Sequence, residues 1–239
     1  MIALLLVACA DKNTDTGSVD DWVAPTGGVV MLTTEDGVAL EADYYPAARG
    51  GAPAYVLLHM IPPNWDRTSW PLEFIAALQD GGASVVVPDR RGAGGSGGDA
   101  VDAYEGENGK YDVAACVDLV VADGAGDVVV IGASNGTTSA LDYTIWAQAG
   151  NAVAPAALGF MTGGTYTENN NDMEALGPVP AIFTFSTEER SWSAAQESLD
   201  PGSWSFVEYG DGDHGTLMFA AAPEVSDDLV GFFGAVVDN

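Results

Sequence analysis

Val128-Val129-Val130-Ile131-Gly132-Ala133-Ser134-Asn135-Gly136 is the stretch whose reading decides the fold. An unbroken run of β-branched residues reads as a strand buried on both faces, and the residues beyond Gly136 can be helical. A G-x-S-x-G string by itself says little in a chain with 30 glycines. Between a strand and a helix it becomes a candidate nucleophile elbow, in which the backbone turns sharply and holds the Ser134 hydroxyl out of the sheet.

Upstream, strands over residues 28–33 and 38–45 flank Glu35-Asp36-Gly37 in a hairpin pattern. Residues 54–58 read as another buried strand. Trp70, Phe74, Ala77 and Leu78 recur at helical spacing before Gly81-Gly82, and a strand over 84–87 follows. A glycine-rich loop over 91–98 and a helix over 111–122 lead into the elbow strand. Downstream, the pattern predicts a helix through Ala149, strands over 154–160 and 181–185, a helix over 192–199, a strand over 203–209 and a last helix near 229–236. Strands separated by helical patterns predict an α/β fold with a mostly parallel sheet and helices on both faces. Such sheets place ligands beyond the carboxyl ends of their strands, where Ser134 sits. No linker divides residues 26–239, which read as one domain. The segment between Phe160 and Pro180 is too short for a large helical lid, so an open site is expected.

Lys+Arg 7 against Asp+Glu 35 gives a formal charge of −28, which opposes binding to nucleic acid and to anionic membrane surfaces. Salt would screen the self-repulsion of so many carboxylates. The aspartates are dispersed, without zinc-type histidine spacing or a calcium-loop pattern, so no metal is expected. The glycine-rich loop lacks the Gly-Lys-Ser/Thr close of a nucleotide cradle, so no cofactor is expected either. Nothing in the sequence reports oligomeric state.

Residues 1–9 begin with an apolar run too short to span a bilayer and similar to the end of a secretory signal. Leu6-Val7-Ala8-Cys9 resembles the lipobox of bacterial lipoproteins. The resemblance implies a lipid on Cys9, anchoring at the periplasmic or cell surface, and a flexible tether over residues 10–25. Cys116, among Val113, Ala114, Val117 and Val120, reads as buried helix filling.

A serine hydroxyl needs a base to become a nucleophile, and the chain has only His59 and His214. His214 lies in Gly210-Asp211-Gly212-Asp213-His214-Gly215, directly after a strand. The base needs a carboxylate to fix its tautomer. Ser186-Thr187-Glu188-Glu189-Arg190 offers two at the end of another strand, Glu189 the first choice and Glu188 the second.

The order Ser134, Glu189, His214 is similar to that of the α/β-hydrolase superfamily. His59-Met60-Ile61-Pro62-Pro63 resembles the oxyanion loop of that family, with Met60 where relatives commonly have glycine. Pro88-Asp89-Arg90-Arg91-Gly92-Ala93-Gly94-Gly95-Ser96 resembles its P-D-x-R-G-x-G-x-S loop. The resemblance implies an α/β-hydrolase fold with Ser134 as nucleophile, His214 as general base and then acid, and Glu189 as the orienting carboxylate. The Asn135 and Ile61 N–H groups would form the oxyanion hole, with His59 holding the loop. Met60, Trp65, Trp70, Met161, Tyr166 and Trp192 are the bulky residues nearest the expected pocket. The implied activity is cleavage of small soluble carboxylic esters through an acyl-enzyme. Lactone or peptide cleavage, as in dienelactone-hydrolase-like and serine-aminopeptidase-like branches, is the second reading. A non-catalytic surface or binding protein on the same scaffold is the third.

Overall fold

The computed structural model describes residues 26–163 and 173–237. The readings placed on residues 1–9, on Cys9, on the tether over 10–25 and on Tyr166 lie outside the described residues.

The first hairpin forms from β1 (Gly28–Thr33) and β2 (Ala39–Tyr45), paired antiparallel. Its turn is closed by Thr34, whose Oγ1 accepts from the Val38 N–H at 2.8 Å. β2 also pairs antiparallel with β4 (Ser84–Pro88). From there every pairing is parallel, through β3 (Ala54–Leu58), β5 (Val128–Ala133), β6 (Ala157–Met161), β7 (Ala181–Ser186) and β8 (Trp204–Tyr209). The eight strands make one sheet in the order β1-β2-β4-β3-β5-β6-β7-β8.

The longer helices explain why the central strands are apolar throughout. On one face, α2 (Gly109–Ala122) and α3 (Gly136–Trp146) cover Val56, Leu58, Val128, Val130 and Phe160. On the other, α1 (Leu72–Asp80) and α6 (Glu224–Val236) cover Tyr55, Leu57, Val129, Ile131 and Ile182. Alternate residues of β3 and β5 thus point into two separate cores, and no position is left for a polar side chain. Cys116 fills the first core. This is a mostly parallel sheet with helices on both faces, and no large lid insertion occurs among the described residues.

Several expected boundaries move. β6 begins at Ala157 because Pro155 has no N–H, and the Ala156 N–H makes the first bond, to the Val128 carbonyl at 2.8 Å. α3 stops at Trp146 and unwinds through a wide turn over Ala147–Asn151, with Gly150 at φ 91°. The helix expected over 192–199 is instead α4 (Arg190–Ser193) followed by a 3₁₀ stretch, Ala195–Leu199. Arg190 ties that segment to Glu208 of β8 and to Glu197, contacts that local sequence does not encode. The last helix is longer than expected: α6 starts directly after Pro223, with Glu224 and Asp227 in its first turn, and a short α5 (Met218–Ala221) precedes it.

In the sheet register Leu58 lies opposite Gly132, so the segment after β3 emerges beside the segment after β5. That adjacency brings His59-Met60-Ile61 next to Ser134.

Candidate active site

Both glycines of the elbow are steric requirements. A Cβ on Gly136 would lie 2.5 Å from the Leu58 carbonyl oxygen, and one on Gly132 would lie 2.5 Å from the Gly136 carbonyl carbon. Between them Ser134 takes φ 50°, a left-handed conformation that costs on the order of 1–3 kcal/mol for a residue with a side chain. The Ser134 N–H donates to the Met161 carbonyl at 2.8 Å, and the Ser134 carbonyl accepts from the Thr137 N–H at 3.0 Å and Oγ1 at 2.6 Å. Ser134 is therefore held between β6 and the first turn of α3.

The Ser134 Oγ lies 2.7 Å from His214 Nε2. His214 Nδ1 in turn contacts Glu189 Oε1. A carboxylate can only accept here, so Nδ1 carries the proton and Nε2 is free to accept from the serine hydroxyl. The His214 turn is built from two left-handed residues, Asp213 at φ 56° and Gly215 at φ 57°. Asp213 Oδ1 accepts from the His214 N–H at 2.7 Å, and the Gly215 N–H donates to Thr162 Oγ1 at 2.9 Å. Of the two adjacent glutamates, Glu189 is buried at the close of a 3₁₀ turn, Thr187–Glu189, whereas Glu188 faces solvent. The imidazole is the exposed member of the group, its side chain 38% accessible against 10% for Glu189.

His59 is wholly buried. Its Nε2 accepts from the Arg90 N–H at 2.8 Å, which leaves Nδ1 to donate to the Met60 carbonyl at 2.7 Å. Burial, and then the Arg90 charge, push its pKa down to about 3, so the ring is neutral. The Met60 carbonyl is drawn to this side, and in a trans peptide the following N–H points the opposite way. The Ile61 N–H is thereby turned away from His59. Neither that amide nor the Asn135 N–H has an acceptor among the described residues.

No protein-family model matches this sequence, and no curated protein is significantly similar to it. Among solved structures, an esterase from Pyrococcus furiosus matches at 16% identity and TM-score 0.68, over 89% of this chain and 94% of that one. The α/β hydrolase GrgF from a Penicillium species matches at 12% identity and TM-score 0.69, over 89% of this chain and 99% of that one. Epoxide hydrolase A from Mycobacterium thermoresistibile matches at 16% identity and TM-score 0.68, over 90% of this chain and 100% of that one. The chain has the α/β-hydrolase fold.

An α/β-hydrolase fold hosts more than one chemistry, an esterase and an epoxide hydrolase among those structures, so the residues at the site must select among them. On the carboxylate side of His214 lies an open cavity of ≈ 470 Å³, bordered by Glu188, Glu189, Asp211 and Asp213. Beyond the same turn is an apolar groove of ≈ 460 Å³ lined by Pro71, Phe74, Leu217, Phe219 and Pro223. No cluster of three or more His, Cys, Asp or Glu able to hold a metal occurs among the described residues.

The bulky residues named from sequence fall into different places. Met161 is fully buried in the core, and it is its carbonyl that serves the elbow. Met60 is also buried, its sulfur 2.3 Å from where a Gly215 Cβ would stand, and φ 57° at residue 215 favours glycine there. Trp70 is buried against Phe74 and Phe219, Trp65 is half-buried against the same core, and Trp192 is exposed on α4. Thr162 and Arg90 carried no individual role in the sequence reading. The adjacent Arg90-Arg91 in a chain with only seven basic residues was the signal available for the second.

Proposed function

We propose that this protein is a serine hydrolase that cleaves carboxylic esters of small soluble substrates through an acyl-enzyme. The observation that carries the reading is the 2.7 Å contact between Ser134 Oγ and His214 Nε2, with Glu189 on the far ring nitrogen. In this arrangement His214 takes the hydroxyl proton as Oγ attacks the acyl carbonyl, and Glu189 stabilises the imidazolium that forms. The new oxyanion accepts from the Asn135 and Ile61 amides, which hold a charged oxygen better than a neutral carbonyl. Asn135 also stands at the N-terminus of α3, where the helix dipole favours negative charge. His214 then protonates the departing alkoxide, and a water deprotonated by the same ring releases the acid.

A serine at the elbow, rather than a carboxylate, supports this choice among the chemistries of the fold, and a solved esterase with the same fold is compatible with it. The exposed His214 edge favours small substrates that enter from bulk solvent, and the carboxylates beside His214 disfavour anionic ones. Export with a lipid on Cys9 belongs to the same proposal and is supported by Leu6-Val7-Ala8-Cys9. The test is a panel of short p-nitrophenyl esters, lactones and aminoacyl amides. The ester reading expects turnover of the esters that a Ser134→Ala protein lacks; turnover confined to lactones or amides would replace it, and none at all would refute it.

A further inference from the structure

Arg90 is fully buried, and its guanidinium donates only to neutral oxygens. Nη1 donates to the carbonyls of His59 (3.2 Å) and Met60 (3.4 Å) and to Asn135 Oδ1 (3.0 Å). Nη2 donates to the Ala103 carbonyl (2.9 Å) and to Ser139 Oγ (2.8 Å). The neighbouring Arg91 is instead paired with Asp112 and Asp36. Burying a charge costs several kcal/mol, and a carboxylate contact is the usual compensation. Among the described residues Arg90 lacks one, and three of its five acceptors, the His59 and Met60 carbonyls and Asn135 Oδ1, belong to the segments that carry the candidate oxyanion amides.

We propose that Arg90 is a positioning residue of the oxyanion hole, bracing the Met60–Ile61 peptide together with His59 and the Asn135 backbone through its side chain. The inference rests on the acyl-enzyme reading of Ser134. A donor on the Met60 carbonyl holds the Ile61 N–H in the opposite direction and strengthens it as a donor, because hydrogen bonds in series polarise one another. The bond to Asn135 Oδ1 keeps that residue at φ −60°, ψ −21°, the conformation from which α3 starts. Nη1 thus reaches the segments after both β3 and β5, while Nη2, anchored on Ala103 and Ser139, fixes the plane of the guanidinium, an orientation that a lysine point charge does not hold.

The experiment compares wild type, Arg90→Met, Arg90→Lys and Asn135→Ala. It measures kcat and KM on a p-nitrophenyl ester and the affinity of a trifluoromethyl ketone, which forms an oxyanion on Ser134. Loss of the guanidinium is expected to lower kcat of Arg90→Met about 100-fold, the order seen when an oxyanion donor is removed. KM should stay within about twofold, and ketone affinity should fall in parallel with kcat. Arg90→Lys is expected to recover about tenfold of the loss and Asn135→Ala to lose about tenfold. Should Arg90→Met fail to fold, the other two variants decide, because each leaves the buried volume largely filled or the charge in place. A folded variant set with kcat within about threefold of wild type, or with the loss confined to KM, overturns the proposal. If the wild-type protein neither turns over the ester nor binds the ketone, the reading of Ser134 fails and this inference falls with it. Wild-type activity with unaffected variants removes the role of Arg90 alone.

Discussion

Glu188 and Glu189 carry the same side chain at the same strand end, and the sequence puts Glu189 first but does not separate them. The 3₁₀ turn after β7 does, by rotating one inward to His214 and the other to solvent. Glu189→Gln is expected to lower kcat by about 10³- to 10⁴-fold, because an amide can stabilise the wrong tautomer and cannot neutralise an imidazolium. Glu188→Gln should stay within about twofold. Steady-state kinetics on both variants checks the assignment, and the reverse ranking would exchange the two residues. The elbow glycines are different, since their place between a buried strand and a helix announced them. Gly136→Ala forces a Cβ to 2.5 Å from the Leu58 carbonyl, and a loss of about 3 kcal/mol or more is expected in urea unfolding.

At the scale of elements, the strands were legible where a local rule governs them. β3 and β5 are continuous apolar runs, and β7 is one broken only by Thr184 before Ser186 ends it, because both faces of each are covered. α4 and the turn after α3 were not legible, because they are set by contacts such as Arg190 with Glu208 and by a single glycine at positive φ. Arg90 was hidden for the same reason: its partners come from the ends of two strands, from α3 and from a loop.

The segment after β3 also has a pH signature. His59 is neutral when folded, with a pKa depressed to about 3 from an ordinary 6.5. As pH falls below about 6.5 the unfolded chain takes up a proton that the folded chain refuses, so the stabilisation present above that pH is progressively lost. Between pH 7 and pH 5 the loss from this residue is about 2 kcal/mol. His59→Asn should be less stable at pH 7 by about 1–3 kcal/mol, since the Arg90 N–H loses its acceptor, yet should lack that part of the acid sensitivity. Urea midpoints of both proteins at the two pH values test this. Parallel pH dependences would show that His59 is charged in the fold.

For the whole molecule, the balance of 35 acidic to 7 basic residues leaves most carboxylates without a cation. Arg67, Arg91, Lys110 and Arg190 are engaged in ion pairs, Arg67 with Glu41, Asp43 and Asp89 together. The remaining repulsion is long-ranged and screened by salt. Raising NaCl from 0.05 to 1 M is expected to raise Tm by about 3 °C or more, the shift that ~1 kcal/mol produces in a domain of this size. An unchanged Tm would mean that the surface charge is not a source of instability. The fold as a whole could be read from the alternation of strands and helices, whereas the pocket could not, because its walls come from loops that no periodicity describes.

The central claim is that Ser134 is an activated nucleophile, and reaction with a fluorophosphonate followed by intact-mass measurement tests it most directly. A single adduct on wild type, absent from Ser134→Ala, is the predicted result. A wild-type protein that gains no mass, or an adduct that persists when Ser134 is replaced, would contradict the account.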